Sequence, residues 1–173
     1  MTGSQIELFK EQGAGAGSGV VNVYSSFYLT GDFSISLKAV PGTGSASAGL
    51  GVQSTTTEHY QAMYRTGPGF FWASRCHPDA GCTSRGLSDD LATNAVLRVR
   101  RVGTLVTSEV DTGDGFVTML ETELPGFDLP MRLKLFLLQE EPGAYPDTYT
   151  DAAATYFDNL RFESQGVQGF VPG

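Results

Sequence analysis

Between Leu97 and Leu120 the chain reads LRVRRVGTLVTSEVDTGDGFVTML, with apolar residues recurring at every second position on both sides of Gly103-Thr104. A Gly-X pair between two such runs is a hairpin signal, because glycine supplies the positive φ that a twist-matched turn needs. With the turn there, Val102 faces Leu105, Arg100 faces Thr107 and Arg98 faces Glu109. Leu97, Val99, Val106 and Val110 then share one face, and Arg98, Arg100, Thr107 and Glu109 share the other. This is the period-2 sorting of a half-buried sheet. The Asp/Gly-rich turn that follows leads into a third strand.

The same alternation recurs along the chain. Gln5 to Phe9 predicts a first strand, Glu11 to Gly19 a Gly/Ala turn region, and Val20 to Leu29 one or two short strands. In DFSISLKAV, Asp32 to Val40, the residues Phe33, Ile35, Leu37 and Ala39 point inward. Pro41 to Ser45 is a turn. Ala46 to Gln53 puts Ala48, Leu50 and Val52 on one face and Gly49 and Gly51 on the other, which leaves a shallow surface there or admits another layer. His59 to Arg65 carries Tyr60, Ala62 and Tyr64 on one side, and Phe70 to Arg75 follows. Cys76 to Asn94 is expected to be loop, with Ser88-Asp89-Asp90 capping a single helical turn. Met131 to Gln139 has Met131, Leu133, Leu135 and Leu137 on one face, and Phe136 and Leu138 on the other, so its end is expected to be covered on both sides. Glu140 to Asp151 is a loop. In ATYFDNLRF, Ala154 to Phe162, the apolar parity shifts, which predicts a bulge at Asp158-Asn159. Residues 162–173 read as a Gly-rich tail. No segment keeps a helical period and none repeats. Many short strands, roughly ten or more, point to an all-β, two-sheet antiparallel sandwich or jelly roll.

Composition narrows the classes. The 173 residues fit one domain, and 22 glycines suit frequent turns. A formal charge of −8 repels phosphate backbones and anionic membranes. Nucleic acid is therefore not an expected partner. No apolar run reaches the roughly 18–20 residues of a membrane span, and membrane insertion is not expected. MTGSQIELFK lacks the basic and apolar regions of a signal peptide; a signal already removed, export by another route, or a phage- or particle-borne role is the expectation.

Cys76 and Cys82 bracket CHPDAGC. Two thiols so close in a Gly/Pro loop favour a local disulfide, which implies an oxidising compartment. Free thiols are a second reading. A zinc site would recruit Cys76, His77, Asp79 and Cys82, but the Cys spacing is wider than usual and no second ligand cluster exists.

Four stretches, GDFSISLKA at Gly31–Ala39, SAGLGVQ at Ser47–Gln53, LRVRRVGTLVTSEVDTGDGF at Leu97–Phe116 and ATYFDNLRF at Ala154–Phe162, stand in an order that resembles a family. The chain is similar to bacterial concanavalin A-like (laminin G-like) jelly-roll domains of the lectin/glucanase superfamily. The resemblance implies two apposed antiparallel sheets, one of them concave. It leaves function open, since this fold hosts lectins, carbohydrate-binding modules, glycanases and adhesion modules. Such domains usually carry a Trp shortly after the DG turn, where this chain has Phe116 and Val117.

Three constellations follow. The resemblance implies a catalytic reading of Glu109, Asp111 and Asp114, since retaining glucanases of the superfamily place nucleophile and acid/base on one strand in an E-x-D-x-(x)-E pattern. Here the third carboxylate is an Asp beyond a glycine, and pairing of Glu109 with Arg98 would push its pKa the wrong way for a general acid. The bland alternative is an Asp/Gly turn. The resemblance also implies a structural Ca2+ at a sheet edge, with Asp158 of the last strand the best single ligand and Asp111 and Asp114 as further candidates; alternatively Asp158 accepts backbone N–H groups at the bulge. Finally, Tyr60, Tyr64, Phe70, Phe71 and Trp72 lie close in sequence. Aromatic faces stack on sugar C–H surfaces, although aromatics on sandwich strands are commonly core. Phe70 and Phe71 point to opposite faces. His59 and His77 have no recognisable nucleophile partner.

The expected function is a non-catalytic, lectin-like module that binds carbohydrate through Tyr60, Tyr64 and Trp72, secreted, on the cell surface or particle-borne. The alternatives are a structural or assembly protein of a surface, appendage or virion, homo-oligomeric or docked on another protein, and, third, a retaining glycanase.

Overall fold

The computed structural model describes residues 6–10, 19–40, 46–54, 59–66, 69–89, 94–123, 125–127, 129–139 and 153–169. Twelve strands run β1 (Ile6–Lys10), β2 (Gly19–Tyr24), β3 (Phe27–Val40), β4 (Ala46–Ser54), β5 (Tyr60–Thr66), β6 (Phe70–His77), β7 (Gly81–Ser88), β8 (Val96–Val102), β9 (Leu105–Asp111), β10 (Phe116–Thr122), β11 (Met131–Gln139) and β12 (Ala153–Gly169). All described pairings are antiparallel. The expected turns at 41–45 and 140–151 and the Gly/Ala region at 11–18 lie outside the described residues; of the expected helical cap Ser88-Asp89-Asp90, Ser88 instead ends strand β7, paired with Phe70, and Asp90 lies outside the described residues.

The strands form two layers. The front sheet has the order β2-β11-β4-β5-β6-β7, and the back sheet the order β1-β12-β3-β8-β9-β10. One backbone pair, Leu29 with Met131, joins them. The chain passes from front to back at Ser25-Ser26, just before β3. There the Ser25 N–H donates to Leu133 O (2.9 Å), and its hydroxyl accepts from the Leu133 N–H (3.1 Å). The strands β4, β5 and β6 then lie against β8, β9 and β10 without pairing with them.

The in-out alternation explains the core. Gly103 has φ +60° at the hairpin turn. The register pairs Val102 with Leu105, Arg100 with Thr107 and Arg98 with Glu109. Leu97, Val99, Val106 and Val110 are buried against Leu50, Val52, Met63 and Phe71 of the facing sheet. Burial of such side chains stabilises by roughly 1.5–3 kcal/mol each before chain entropy is subtracted. Polar side chains also bridge the layers. Gln61 Nε2 reaches Val106 O and Ser108 Oγ, both at 3.1 Å, while Ser108 Oγ donates to Ala62 O (3.2 Å). The bulge expected in β12 is present, as a register shift between Asp158 and Arg161, with Asn159 at φ 53°.

Two expectations are corrected. Gly81–Ser88 is not loop but β7, paired along its length with β6. Its side chains are nearly all exposed because it is an edge strand, so no apolar alternation marks it. Residues 162–169 are not tail: β12 continues to Gly169, paired with Phe27–Ser34 of β3.

Cys76 and Cys82 sit opposite each other across the β6–β7 hairpin and are joined in a disulfide. The thiolates a zinc ion would need are thereby absent. Replacing both cysteines by serine is expected to lower stability by about 2 kcal/mol, the chain-entropy term for so short a loop. Urea midpoints of the oxidised protein and the variant measure it; equal midpoints would show that the hairpin gains nothing from the bond.

Candidate functional site

The outer face of the front sheet carries the candidate site. Cross-strand register lines up three transverse rows of outward residues. The first runs Phe136–Gly49–Tyr64–Trp72–Gly86, the second Lys134–Gly51–Ala62–Ser74–Ser84, and the third Arg132–Gln53–Tyr60–Cys76–Cys82. Neighbouring rows are two residues apart, roughly 7 Å. The middle row is small apart from Lys134 at its end. It forms a trough across the strands, between a wall of Phe136, Tyr64 and Trp72 and a second wall of Tyr60 and the disulfide. A cavity of about 220 Å³ within it is lined by Gly51, Tyr60, Ala62, Tyr64, Ser74 and Lys134, among others.

The glycines shape the trough. A Cβ at Gly49 would lie 2.5 Å from Tyr64 Cβ, and one at Gly51 would lie 3.0 Å from Ala62 Cβ. Directly opposed residues normally keep their Cβ atoms about 4.5–5.5 Å apart. The strands β4 and β5 therefore lean together on this face, which makes it the hollow side of the sheet. The rings cover the gaps. Tyr64 and Phe136 meet edge-on with centroids 5.8 Å apart, flanking Gly49. The Trp72 indole lies over Gly86, whose Cβ would sit 3.1 Å from the ring. Tyr60, Tyr64 and Trp72 are half-buried, each with a flank open to solvent, whereas Phe71 is fully buried and Phe70 is 48% exposed.

Lys134 closes one end. Its Nζ lies 5.8, 5.9 and 5.6 Å from the ring centroids of Tyr24, Tyr60 and Phe136, within cation–π range. Burial pushes its pKa below the ordinary lysine value. Tyr24 donates its hydroxyl to Gln53 Oε1 at 3.1 Å. Arg132 donates to the Tyr28 hydroxyl at 2.8 Å.

The candidate carboxylates lie elsewhere. Glu109 and Asp111 project from the outer face of the back sheet, on the far side of the molecule from the trough. Glu109 is ion-paired with Arg98, whose guanidinium carbon stacks 3.5 Å from the Phe116 ring centroid. Asp111 Oδ1 accepts the N–H groups of Gly113 (2.8 Å) and Gly115 (3.0 Å), which ties the DTGDG turn. Asp114 is exposed in that turn and shares no strand face with Glu109. Asp158 Oδ1 accepts the Asn159 N–H at 2.7 Å, in the bulge. Among the described residues no three His, Cys, Asp or Glu side chains gather as a metal site.

His59 and His77 pack together near one end of the sandwich, with ring centroids 4.1 Å apart and Phe127 beside them. His77 Nδ1 accepts from the Asp79 N–H (3.1 Å), so Nε2–H is free to donate to Pro125 O (2.9 Å). Burial, and then the charge of His77, lower the His59 pKa from 6.5, with Asp79 opposing. A lowered folded-state pKa means the unfolded chain takes up the proton first. Stability from His59 is therefore whole above about pH 6.5 and is lost as pH falls from there toward the folded value. Urea titrations at pH 7.5 and pH 5.0 should show a smaller loss for His59→Gln than for the wild type.

Lys134 and Phe136 escaped the sequence reading as site residues, because only the β4–β11 register brings them beside Tyr60 and Tyr64. The usable signal was their position on the outer parity of a strand otherwise rich in leucine.

Among solved structures, the catalytic domain of an endo-1,3-β-glucanase (laminarinase) from Thermotoga petrophila RKU-1 matches with TM-score 0.65 and 13% identity, over 85% of this chain and 69% of that one. A legume lectin-like domain from Entamoeba histolytica matches with TM-score 0.61 and 11% identity, over 90% and 82%. The Crh5 transglycosylase in complex with NAG matches with TM-score 0.61 and 12% identity, over 92% and 72%. No family model and no curated protein sequence matches the chain. At these identities the likeness shows the fold alone: it is the concanavalin A-like jelly roll that the sequence resembles.

Proposed function

We propose that this concanavalin A-like jelly roll is a non-catalytic, lectin-like module that binds carbohydrate in the front-sheet trough. One observation carries the reading: the half-buried rings of Tyr60, Tyr64 and Trp72 share, with the buried Phe136, a hollow face whose floor is glycine and alanine. Flat rings beside a shallow floor suit the C–H faces of sugar rings, and the phenol and indole edges suit their hydroxyls. The trough crosses the strands, as a groove for an extended chain would. A lectin-like domain and enzymes named as a glucanase and a transglycosylase share the fold, which is consistent with a glycan ligand.

The glycanase alternative draws on those same neighbours. Retaining hydrolysis needs two carboxyl groups about 5–5.5 Å apart beside the bound sugar. The six strands that form the trough contain no Asp or Glu. Glu109 and Asp111 lie on the opposite face, each already engaged. The assembly reading draws on exposed apolar residues such as Phe70 (48%) and Val117 (56%); a monomer in light scattering at high concentration would argue against it.

Affinity electrophoresis in gels cast with laminarin, mannan, xylan and polygalacturonate tests the reading. The wild type should be retarded by at least one. Trp72→Ala and Tyr64→Ala should each weaken that retardation about tenfold, the loss of one stacking surface. Free migration in every gel, or retardation untouched by both substitutions, would end the proposal. Release of reducing sugar that Glu109→Gln abolishes would favour the glycanase instead.

A further inference from the structure

The front sheet differs in charge from the rest of the molecule. The chain holds 19 acidic and 11 basic residues. None of the acidic ones lies on β2, β4, β5, β6, β7 or β11, so every strand-borne carboxylate belongs to the back sheet. On the outer face of the front sheet the charged side chains are Lys134, at the end of the trough, and Arg132, one row away. Lys134 stands among three aromatic rings, and among the described residues no carboxylate pairs with it.

We infer that the ligand of this trough is an anionic polysaccharide, with a carboxylate or sulfate seated against the Lys134 ammonium while neighbouring sugar rings lie on Tyr60, Tyr64 and Trp72. The inference rests on the proposed carbohydrate-binding function and adds the ligand's charge to it. A half-buried ammonium whose partners among the described residues are rings keeps its N–H donors available. An anion arriving with the sugar would complete its coordination with a charge-assisted bond. A neutral glycan would have to cover the cation with hydroxyl groups only.

The strand-borne carboxylates do not oppose this locally, and of the described acids that flank front-sheet strands, Asp79 stands in the β6–β7 turn and Asp89 just beyond β7, at the strand ends. At physiological salt the field of an exposed charge is screened beyond about 8 Å. The carboxylates of the back sheet lie a full sandwich thickness away, whereas Lys134 lines the trough itself. The distant negative charge would slow the approach of a polyanion more than it would weaken the seated complex.

Matched polymers that differ in charge test the inference. Binding is measured by isothermal titration in 50 mM buffer to polygalacturonate and its fully methyl-esterified form, and to dextran sulfate and dextran. Laminarin serves as a neutral glucan. The wild type is expected to prefer one charged member of a pair over its uncharged partner by about tenfold, one charge-assisted contact. Preference within the first pair identifies a carboxylate ligand, and within the second a sulfate. The preference should shrink as NaCl is added. Lys134→Met, which keeps the stem and removes the charge, should bring the ratio to near one. Tight binding to uncharged polymers with no preference for charge, or a ratio that survives in Lys134→Met, overturns the inference and leaves carbohydrate binding standing. No binding to any of the five polymers overturns the inference; carbohydrate binding itself falls only if mannan and xylan are also left unbound. Should Lys134→Met fail to fold, the wild-type ratios and their salt dependence decide alone.

Discussion

Replacing Arg101 by Met is expected to destabilise the protein by about 3 kcal/mol, an apparent Tm loss of ~9 °C for a chain of this size. Arg101 is 1% exposed at the end of β8. Its Nε donates to Gly31 O (2.7 Å), and one terminal nitrogen donates to Phe127 O (3.0 Å) and Leu129 O (2.7 Å). The guanidinium carbon also sits 4.8 Å from the Phe33 ring centroid. Arg101 thus ties the turn between β10 and β11, with the buried Phe127, to the start of β3. Methionine fills much of the volume but takes the donor from three carbonyls, of which Phe127 O is buried and Gly31 O and Leu129 O are partly buried; a fully buried acceptor left unsatisfied costs roughly 1–3 kcal/mol. Relief of the buried charge offsets part of that. Lysine should rescue little, because one ammonium cannot reproduce a planar fork that reaches two directions at once. Urea midpoints would measure all three proteins; a Met variant within about 1 kcal/mol of the wild type would mean that solvent or the turn itself satisfies those carbonyls.

The hairpin explains how much of this was legible. Alternation about Gly103 sorts Val99 inward and Arg98 and Arg100 outward, and the structure keeps that sorting. The same parity puts Arg101 inward, where a strand read for apolar residues leaves it unassigned. Where apolar period and burial coincide, as in β3, β4 and β11, the strands are visible in the sequence. They are hidden where backbone pairing alone forms them. The strand β7 has exposed side chains and a single half-buried apolar residue, Leu87; only its ladder to β6 and the disulfide make it a strand. The last stretch of β12, with Gly166 and Gly169, is held by the ladder to β3. The site divides in the same way. Tyr60, Tyr64 and Trp72 are close in the chain, and their common face follows from the β5–β6 register. Lys134 and Phe136 come from a distant strand, so the cationic end of the trough emerges only in three dimensions.

Valine at Gly49 and valine at Gly51 are expected to abolish ligand binding for different reasons. At Gly49 a new Cβ would meet the Met63 carbonyl oxygen and lie 2.6 Å from Tyr64 Cα. These are backbone neighbours that cannot rotate away, so β4 and β5 must separate. Overpacking of that kind costs about 3 kcal/mol. The Gly49→Val protein should therefore lose stability and binding together. At Gly51 the nearest atoms, Ala62 Cβ and Gln61 O, both stand at 3.0 Å. A shift of a few tenths of an ångström relieves that contact, at about 1 kcal/mol. The two added methyl groups then stand in the floor of the trough, where the ligand would lie. Gly51→Val should keep a cooperative melt near that of the wild type and still lose binding about a hundredfold, since a bulky floor lifts the sugar off every ring at once. Calorimetric binding beside a thermal melt separates the two cases. A folded Gly51→Val protein that binds as the wild type does would show that the ligand does not enter the row between Tyr60 and Tyr64. The aromatic walls would then belong to the packing of the sheet and not to recognition.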